Sequence, residues 1–188
     1  VERVVCTSTS EVYGTALFTP ISECHPIQAQ SPYSATKAAA DHLCEAWHRA
    51  FDVPVAVVRP FNTYGPRQSP RAVIPTIVGQ LLSGAETLWL GSLTPVRDLL
   101  FVRDTVRAFI AAAENDGAVG RVTHFGTGTA TSVGDLARIL VDMLAPGTPI
   151  KEDPLRKRPE ASEVMELLCD PADAYELLGW SAEVDLED

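Results

Sequence analysis

The chain is short of positive charge. Lys and Arg number 15 against 25 Asp and Glu, a formal net charge of −10, with the acids spread along the sequence. That balance argues against nucleic-acid binding as the main task. It leaves room for an anionic small ligand, which needs only a few local arginines. No apolar run approaches the roughly 18 residues of a membrane span, and no basic-then-apolar leader is present, so a cytoplasmic protein with no membrane partner is expected. Four cysteines, Cys6, Cys24, Cys44 and Cys169, stand at no metal or redox spacing and read as reduced thiols, with no metal expected. The four histidines have no triad-like neighbours and read as structural. There are no internal repeats. At 188 residues, 46% hydrophobic, the chain suits one globular core.

What is present is concentrated in two clusters about twenty residues apart. The second of them is Tyr33-Ser34-Ala35-Thr36-Lys37. Ser31-Pro32 reads as an N-cap followed by proline at the first helical position. The stretch from Pro32 to about Phe51 is rich in Ala, Leu, Lys and Glu, which predicts a helix. Tyr33 and Lys37 then share a face at i and i+4. A neighbouring ammonium stabilises a phenolate, lowering a tyrosine pKa from about 10 toward neutrality. Tyr33 is thereby a candidate general base. The bland alternative is a surface tyrosine beside a solvated lysine.

The first cluster is Thr9-Ser10-Glu11. It follows Val1 to Thr7, a mostly apolar, β-branched stretch that predicts a buried strand. In an open α/β sheet, ligands sit outside the carboxyl ends of strands. Hydroxyls and a carboxylate there make a site candidate, against the alternative of a polar loop satisfying its own turn.

Three segments in order, Thr9-Ser10-Glu11-Val12-Tyr13-Gly14, Ser31-Pro32-Tyr33-Ser34-Ala35-Thr36-Lys37 and Arg59-Pro60-Phe61-Asn62-Thr63-Tyr64-Gly65-Pro66-Arg67, resemble the extended short-chain dehydrogenase/reductase family. Within it they are most similar to the nucleotide-sugar 4,6-dehydratases. The stretch from Arg59 to Pro75 resembles those acting on nucleotide-linked N-acetylglucosamine. The resemblance implies NAD as cofactor and a nucleotide-diphosphate sugar as substrate. It implies that Tyr33 takes the 4-hydroxyl proton while hydride passes to NAD, and that Lys37 tunes Tyr33 and holds the nicotinamide ribose. Thr7 and Pro60 would flank the cofactor. Thr9 would hydrogen bond the 4-hydroxyl, and Glu11 would remove the carbon-5 proton before water leaves carbon 6. Ser10 stands where glucose-type dehydratases usually carry the aspartate that protonates the leaving water. Thr-Ser-Glu is similar to GDP-mannose dehydratases and to UDP-glucuronate decarboxylases, so decarboxylation is an alternative. 4-Epimerisation is another, although it needs no carbon-5 base. A non-catalytic sugar-nucleotide-binding relative is a third, against which Tyr33, Lys37 and Glu11 all speak.

On the substrate side, Asn62 follows a strand end, where its amide can donate to a phosphate or sugar oxygen. Arg97 and Arg158 match family arginines that clamp the diphosphate, a task suited to bidentate guanidinium bonding. Arg67 is a further candidate in the same pocket. Arg158-Pro159 is followed by Glu160-Ala161, a departure from the family's usual Gly-Asp.

The expected fold is α/β: the C-terminal part of a Rossmann-type parallel sheet plus a smaller mixed α/β substrate-binding region. Residues 1–62 would complete the NAD-binding domain, and residues 63–188 would be mostly substrate-binding, with some segments returning to the core. The family's opening G-x-x-G-x-x-G loop is missing. Gly126-Thr127-Gly128 follows a short Val122 to Phe125 strand but has no third glycine at the required spacing, and reads as a turn. The chain therefore reads as truncated at both ends and inactive alone. Further strands are expected at Val53 to Val58, Thr87 to Leu90 and Leu99 to Val102. Helices are expected at Thr76 to Leu82, from an Asp104 cap to Ala113, from a Ser132 cap to Leu144, and from Asp170-Pro171 to Leu178. Pro146 to Pro149 and Lys151 to Arg158 read as loops. The first helix is apolar on more than one side, and the resemblance implies a homodimer formed through it.

Overall fold

The computed structural model describes residues 1–157 and 164–187. Its centre is a three-stranded parallel sheet in the order β1-β2-β7, formed by Val4–Thr7 (β1), Val55–Pro60 (β2) and Val122–Phe125 (β7). β2 runs through the middle, with Thr7 opposite Val58 and Pro60 opposite Phe125. Its first five residues are all buried, as a central parallel strand covered on both faces requires.

Helix α1, Pro32–Phe51, covers one face. Its start is the predicted one. Ser31 Oγ accepts from Ser34 N at 3.1 Å, and Ser34 Oγ accepts in return from Ser31 N at 3.0 Å, a capping box with serine in the usual Glu/Gln place. It ends at Asp52, in the left-handed region at φ 53°, which a short polar side chain tolerates. Only Ser34, Ala38 and Asp41 of this helix are buried, while Leu43, Trp47 and Phe51 are exposed. Within this chain, then, α1 is buried on one side, not more.

The other face carries α3, Val102–Glu114, and α5, Ala172–Leu178. Ala108 and Ala112 of α3 pack with Ala56 and Val58 of β2, Phe125 of β7 and Trp180. Small alanines let the helix approach the sheet closely, and each buried aromatic brings the larger share of apolar area. The sequence placed Asp104 as the cap of α3. The helix instead begins a turn earlier, after Phe101, with no side-chain cap. Asp104 is buried in its first turn and accepts from the backbone N–H groups of Glu183 and Val184, at 3.0 Å each, and from Arg107 at 2.7 Å. Burial alone would raise its pKa, but those donors outweigh it and hold the carboxyl below its ordinary range. Its work is to tie the C-terminal segment to α3.

A second layer is built on α2, Val73–Leu82, and α4, Val133–Leu144, packed with the pair β4–β9, Leu88–Leu90 and Ile150–Glu152. Ser132 caps α4 as expected, accepting from Asp135 N at 2.9 Å. Lys151 and Glu152, expected in a loop, lie in β9 beside β4, and Pro154–Arg156 forms a short 3-10 turn. Strand pairing across some sixty residues overrides local turn chemistry here. Two small sheets complete the layer: β3, Asn62–Tyr64, with β6, Leu99–Phe101, and β5, Val96–Arg97, between β8, Thr131–Ser132, and β10, Glu166–Leu167. The four cysteines are free. No helix among the described residues is long and apolar enough to cross a membrane.

Candidate active site

The turn after β1 sets the geometry. Thr9 caps the 3-10 turn Ser10–Tyr13, its Oγ1 accepting from Glu11 N at 3.3 Å. Ser10, Val12 and Tyr13 are buried, while Glu11 is only half-buried. Glu11 projects into a cavity of about 530 Å³, lined also by Asn62 and Thr63 of β3, Gln68 and Arg71 of the following loop, Arg97 of β5 and Arg156. Three of the predicted residues, Glu11, Asn62 and Arg97, are thus brought to one cleft from positions up to 86 residues apart.

Tyr33 and Lys37 are not in the lining of this cleft. Lys37 Nζ donates to the carbonyl of Thr7 at 3.0 Å, at the carboxyl end of β1. Tyr33, in the first turn of α1, is 53% exposed. α1 packs against the Ser10–Tyr13 turn. Pro60 ends β2, and the next amide, Phe61 N, is bonded to Phe125 O at 2.8 Å.

Thr9 and two further predicted residues, Arg67 and Ser10, also lie outside the lining. Arg67 is exposed, with φ 68°, and does not line the cleft; Gln68 and Arg71 do. Ser10 is 3% exposed and also stays out of the lining. Arg158 lies outside the described residues. Arg156, two positions earlier, does reach the cleft and pairs with Asp153 at 3.3 Å. Sequence reasoning missed Gln68, Arg71 and Arg156. Each sat inside a segment already singled out, but which side chain turns inward depends on the loop path.

Beneath the site lies a buried polar network. Asp41, on α1 one turn beyond Lys37, accepts at Oδ2 from Ser8 Oγ at 2.7 Å and from Arg59 Nε and Nη2 at 3.1 and 2.7 Å. Arg59 Nη1 donates to the Tyr13 hydroxyl, which meets His124 Nε2 at 2.6 Å. His124 Nδ1 meets the Ile21 carbonyl at 3.1 Å. Burial first, and then the Arg59 charge, push the His124 pKa down to about 3, so the ring is neutral. A carbonyl only accepts, so Nδ1 carries the proton and Nε2 accepts from Tyr13. Burial likewise pushes the Tyr13 phenol up to about 12 despite Arg59. The chain of donors is therefore ordered, and it joins the end of β1, the Ser10–Tyr13 turn, α1, β2 and β7. Reading all histidines as structural fits His124, although its partners were not foreseen.

Asp98, between β5 and β6, organises the Gly126-Thr127-Gly128 turn. Its carboxylate accepts from Thr127 N and Oγ1, both at 2.8 Å, from Gly128 N at 2.9 Å and from Cys169 N at 3.3 Å. Burial still wins over these donors and raises its pKa. The glycine pattern is thus a carboxylate-anchored turn.

The whole chain, residues 1–188, matches the family model described as GDP-mannose 4,6 dehydratase. It is 39% identical over 140 residues to a dTDP-glucose 4,6-dehydratase of Actinoplanes sp., covering 74% of this chain and 43% of that protein. It is 34% identical over 190 residues to a UDP-glucose 4-epimerase of Mycolicibacterium smegmatis, covering 99% of this chain and 59% of that protein. The structure superposes on the dTDP-glucose 4,6-dehydratase DesIV of Streptomyces venezuelae, solved with NAD bound, with a TM-score of 0.87 and 31% identity, over 98% of this chain and 56% of that one. The chain spans roughly two fifths to three fifths of the length of these relatives. With the parallel sheet, the Tyr33–Lys37 helix and the motif order, this match means that the chain belongs to the GDP-mannose 4,6-dehydratase family, within the extended short-chain dehydrogenase/reductases that act as nucleotide-sugar dehydratases and epimerases.

Proposed function

We propose that this chain carries the acid–base and sugar-binding groups of an NAD-dependent nucleotide-sugar 4,6-dehydratase, a cytoplasmic enzyme. One observation carries the reading: Glu11, Asn62 and Arg97 share a cleft, and the helix bearing Tyr33 and Lys37 packs on the turn that bears Thr9 and Glu11. Residues 1–62 form the cofactor side of this site, and residues 63–188 mostly its substrate side.

The residues present fit the ribose end of a dinucleotide. Thr7 and Pro60 end adjacent parallel strands, where such ligands bind, and the Lys37 ammonium is fixed between strand end and helix by Thr7. NAD, when bound, supplies the hydride acceptor and later donor. Tyr33 removes the proton from the sugar 4-hydroxyl, aided by the Lys37 charge. Thr9 holds that hydroxyl in line. Once carbon 4 is a ketone, the carbon-5 proton is acidified and Glu11 removes it. Arg97, with Arg71 and Arg156, neutralises the diphosphate.

Incubation of the complete protein and NAD with nucleotide sugars should give a 4-keto-6-deoxy product. Tyr33→Phe should lower kcat by about 10²- to 10⁴-fold and leave nucleotide binding nearly unchanged. Undiminished turnover in that variant would remove Tyr33 from the role of base. The likeness to the M. smegmatis protein favours 4-epimerisation as the second reading; an epimerised sugar that keeps its 6-hydroxyl would establish it.

The exposed face of α1, with Leu43, Trp47 and Phe51, lies on the same chain as exposed Val106 and Ile110 of α3. Apolar area of this kind favours an interface, and the reading includes a homodimer formed through α1. Trp47→Asp should then shift the sedimenting mass to that of one chain.

A further inference from the structure

We propose that Cys6 and Cys44 are a redox-active thiol pair, which a small disulfide oxidises to a covalent clamp between β1 and α1. The inference stands apart from the nucleotide-sugar reading and does not depend on it.

Helix α1 is stitched to its surroundings along one stripe. Lys37, Asp41, Cys44 and His48 are spaced so that they share a helix face. Three of the four make hydrogen bonds there. Lys37 Nζ donates to Thr7 O at 3.0 Å, Asp41 Oδ2 accepts from Ser8 Oγ at 2.7 Å, and His48 Nδ1 donates to Val53 O at 2.9 Å. Cys44 is the fourth member, and it meets Cys6.

The strand geometry requires that meeting. β1 turns Val5 toward the cluster around α3 and is followed by Ser8, which bonds to α1. Successive residues alternate faces, so Cys6 lies on the α1 face, as Ser8 does. α1 connects two parallel strands and therefore runs back against the direction of β1. Three residues on from Asp41, about 4.5 Å of helix, run alongside two residues back from Ser8, about 6.6 Å of strand. The register agrees: Cys6 pairs with Val57, and Val57 and Cys44 line one small hollow. The two thiols are hydrogen bonded to each other. Burial first, and then that bond, hold the Cys44 thiol above its ordinary range. Both residues are partly exposed. Sulfurs in contact from two facing elements are positioned for a disulfide.

The chemistry is thiol–disulfide exchange. Because Cys44 keeps its proton, Cys6 attacks first, as thiolate. It breaks the S–S bond of the small disulfide and releases one thiolate. Cys44 then attacks the Cys6 sulfur of the mixed disulfide and releases the second. The Cys6–Cys44 bond forms and both protein thiols are oxidised. The small disulfide is reduced to two thiols, which take up the two protons. Under reducing conditions the pair rests as thiols, the usual behaviour of a redox-sensing cysteine pair. Once closed, the link spans about 38 residues of chain and restricts the unfolded state. It also ties the helix that bears Tyr33 and Lys37 to the central sheet.

The test is incubation of the complete protein with glutathione disulfide, blocking of free thiols, and peptide mapping by mass spectrometry without reductant. A peptide linking Cys6 to Cys44 should appear and should vanish with dithiothreitol. The oxidised protein should melt several degrees higher than the reduced one, and folded Cys44→Ser should lose that gain. Absence of the linked peptide while the exposed Cys24 carries glutathione overturns the proposal, and needs no variant to show it. Stable glutathione adducts on Cys6 or Cys44 in place of the link also overturn it. A linked peptide with an unchanged melting temperature overturns the clamp.

Discussion

Replacing Arg59 by Met tests the buried network beneath the Ser10–Tyr13 turn. Arg59 and Asp41 are 3% and 1% exposed as side chains and lie 2.7 Å apart. The substitution keeps the apolar stem and removes three hydrogen bonds, two to Asp41 Oδ2 and one to the Tyr13 hydroxyl. Among the described residues Asp41 then keeps only Ser8 as a donor to that oxygen, and its Oδ1 already has no partner among them. An uncompensated buried charge of this kind costs about 3–5 kcal/mol. Against a usual total of about 5–15 kcal/mol, and at about 2–4 °C per kcal/mol for a chain of this size, the melting temperature should fall by roughly 6–20 °C. Adding Asp41→Leu removes the stranded charge, so the double variant should recover at least half of the loss, a coupling readable from a double-mutant cycle. Urea unfolding followed by circular dichroism gives the three free energies. A loss below about 1 kcal/mol for Arg59→Met, or a double variant as unstable as the sum of the singles, would refute the view that the pair holds the turn.

Other outcomes follow from the same geometry. Burial raises the Glu23 pKa to about 7 from 4.5, despite the His124 N–H it accepts at 2.7 Å. Its folded value lies above its unfolded one, so its ionisation opposes folding: the cost is nil below about pH 4.5 and grows to about 3 kcal/mol above pH 7. Glu23→Gln, which keeps the acceptor oxygen, should therefore raise the melting temperature at pH 8 and leave it unchanged at pH 4.5; a rise at both values would assign the gain to something other than charge. Asp98→Ala strips the acceptor from three backbone N–H groups and the Thr127 hydroxyl. It should cost about 2–4 kcal/mol and speed amide exchange at Thr127 and Gly128, and unchanged protection there would show that the turn holds itself.

Local elements were legible wherever the chain carries its own punctuation. Ser31-Pro32 and Ser132 mark helix starts that need no tertiary partner, because a serine hydroxyl finds an N–H three residues on. The apolar runs of β2 and β7 were equally plain; β1, expected as a buried strand over Val1 to Thr7, begins at Val4 and is exposed at both ends, because it has a partner strand on one side only among the described residues. Asp104 failed as a cap because its carboxylate had better donors 79 and 80 residues away, and β9 failed as a loop because its partner strand begins about sixty residues earlier. Such long-range pairings leave no local trace.

The candidate site divides along the same line. Tyr33, Lys37, Thr9 and Glu11 could be named from the sequence because helical periodicity and the strand-end position place them relative to their own backbones. Which arginine reaches the cleft could not be: Arg67 and Arg71 belong to one loop and are both exposed, yet of the two Arg71 alone lines the cleft. The candidate groups, their order and most of the helices and strands that carry them are readable along the chain, since these are set by neighbours a few residues apart. Which of them share a cavity, and how Asp41, Arg59, Tyr13 and His124 divide their protons, was open until the fold was known, because both depend on distances between segments that meet only when the chain is folded.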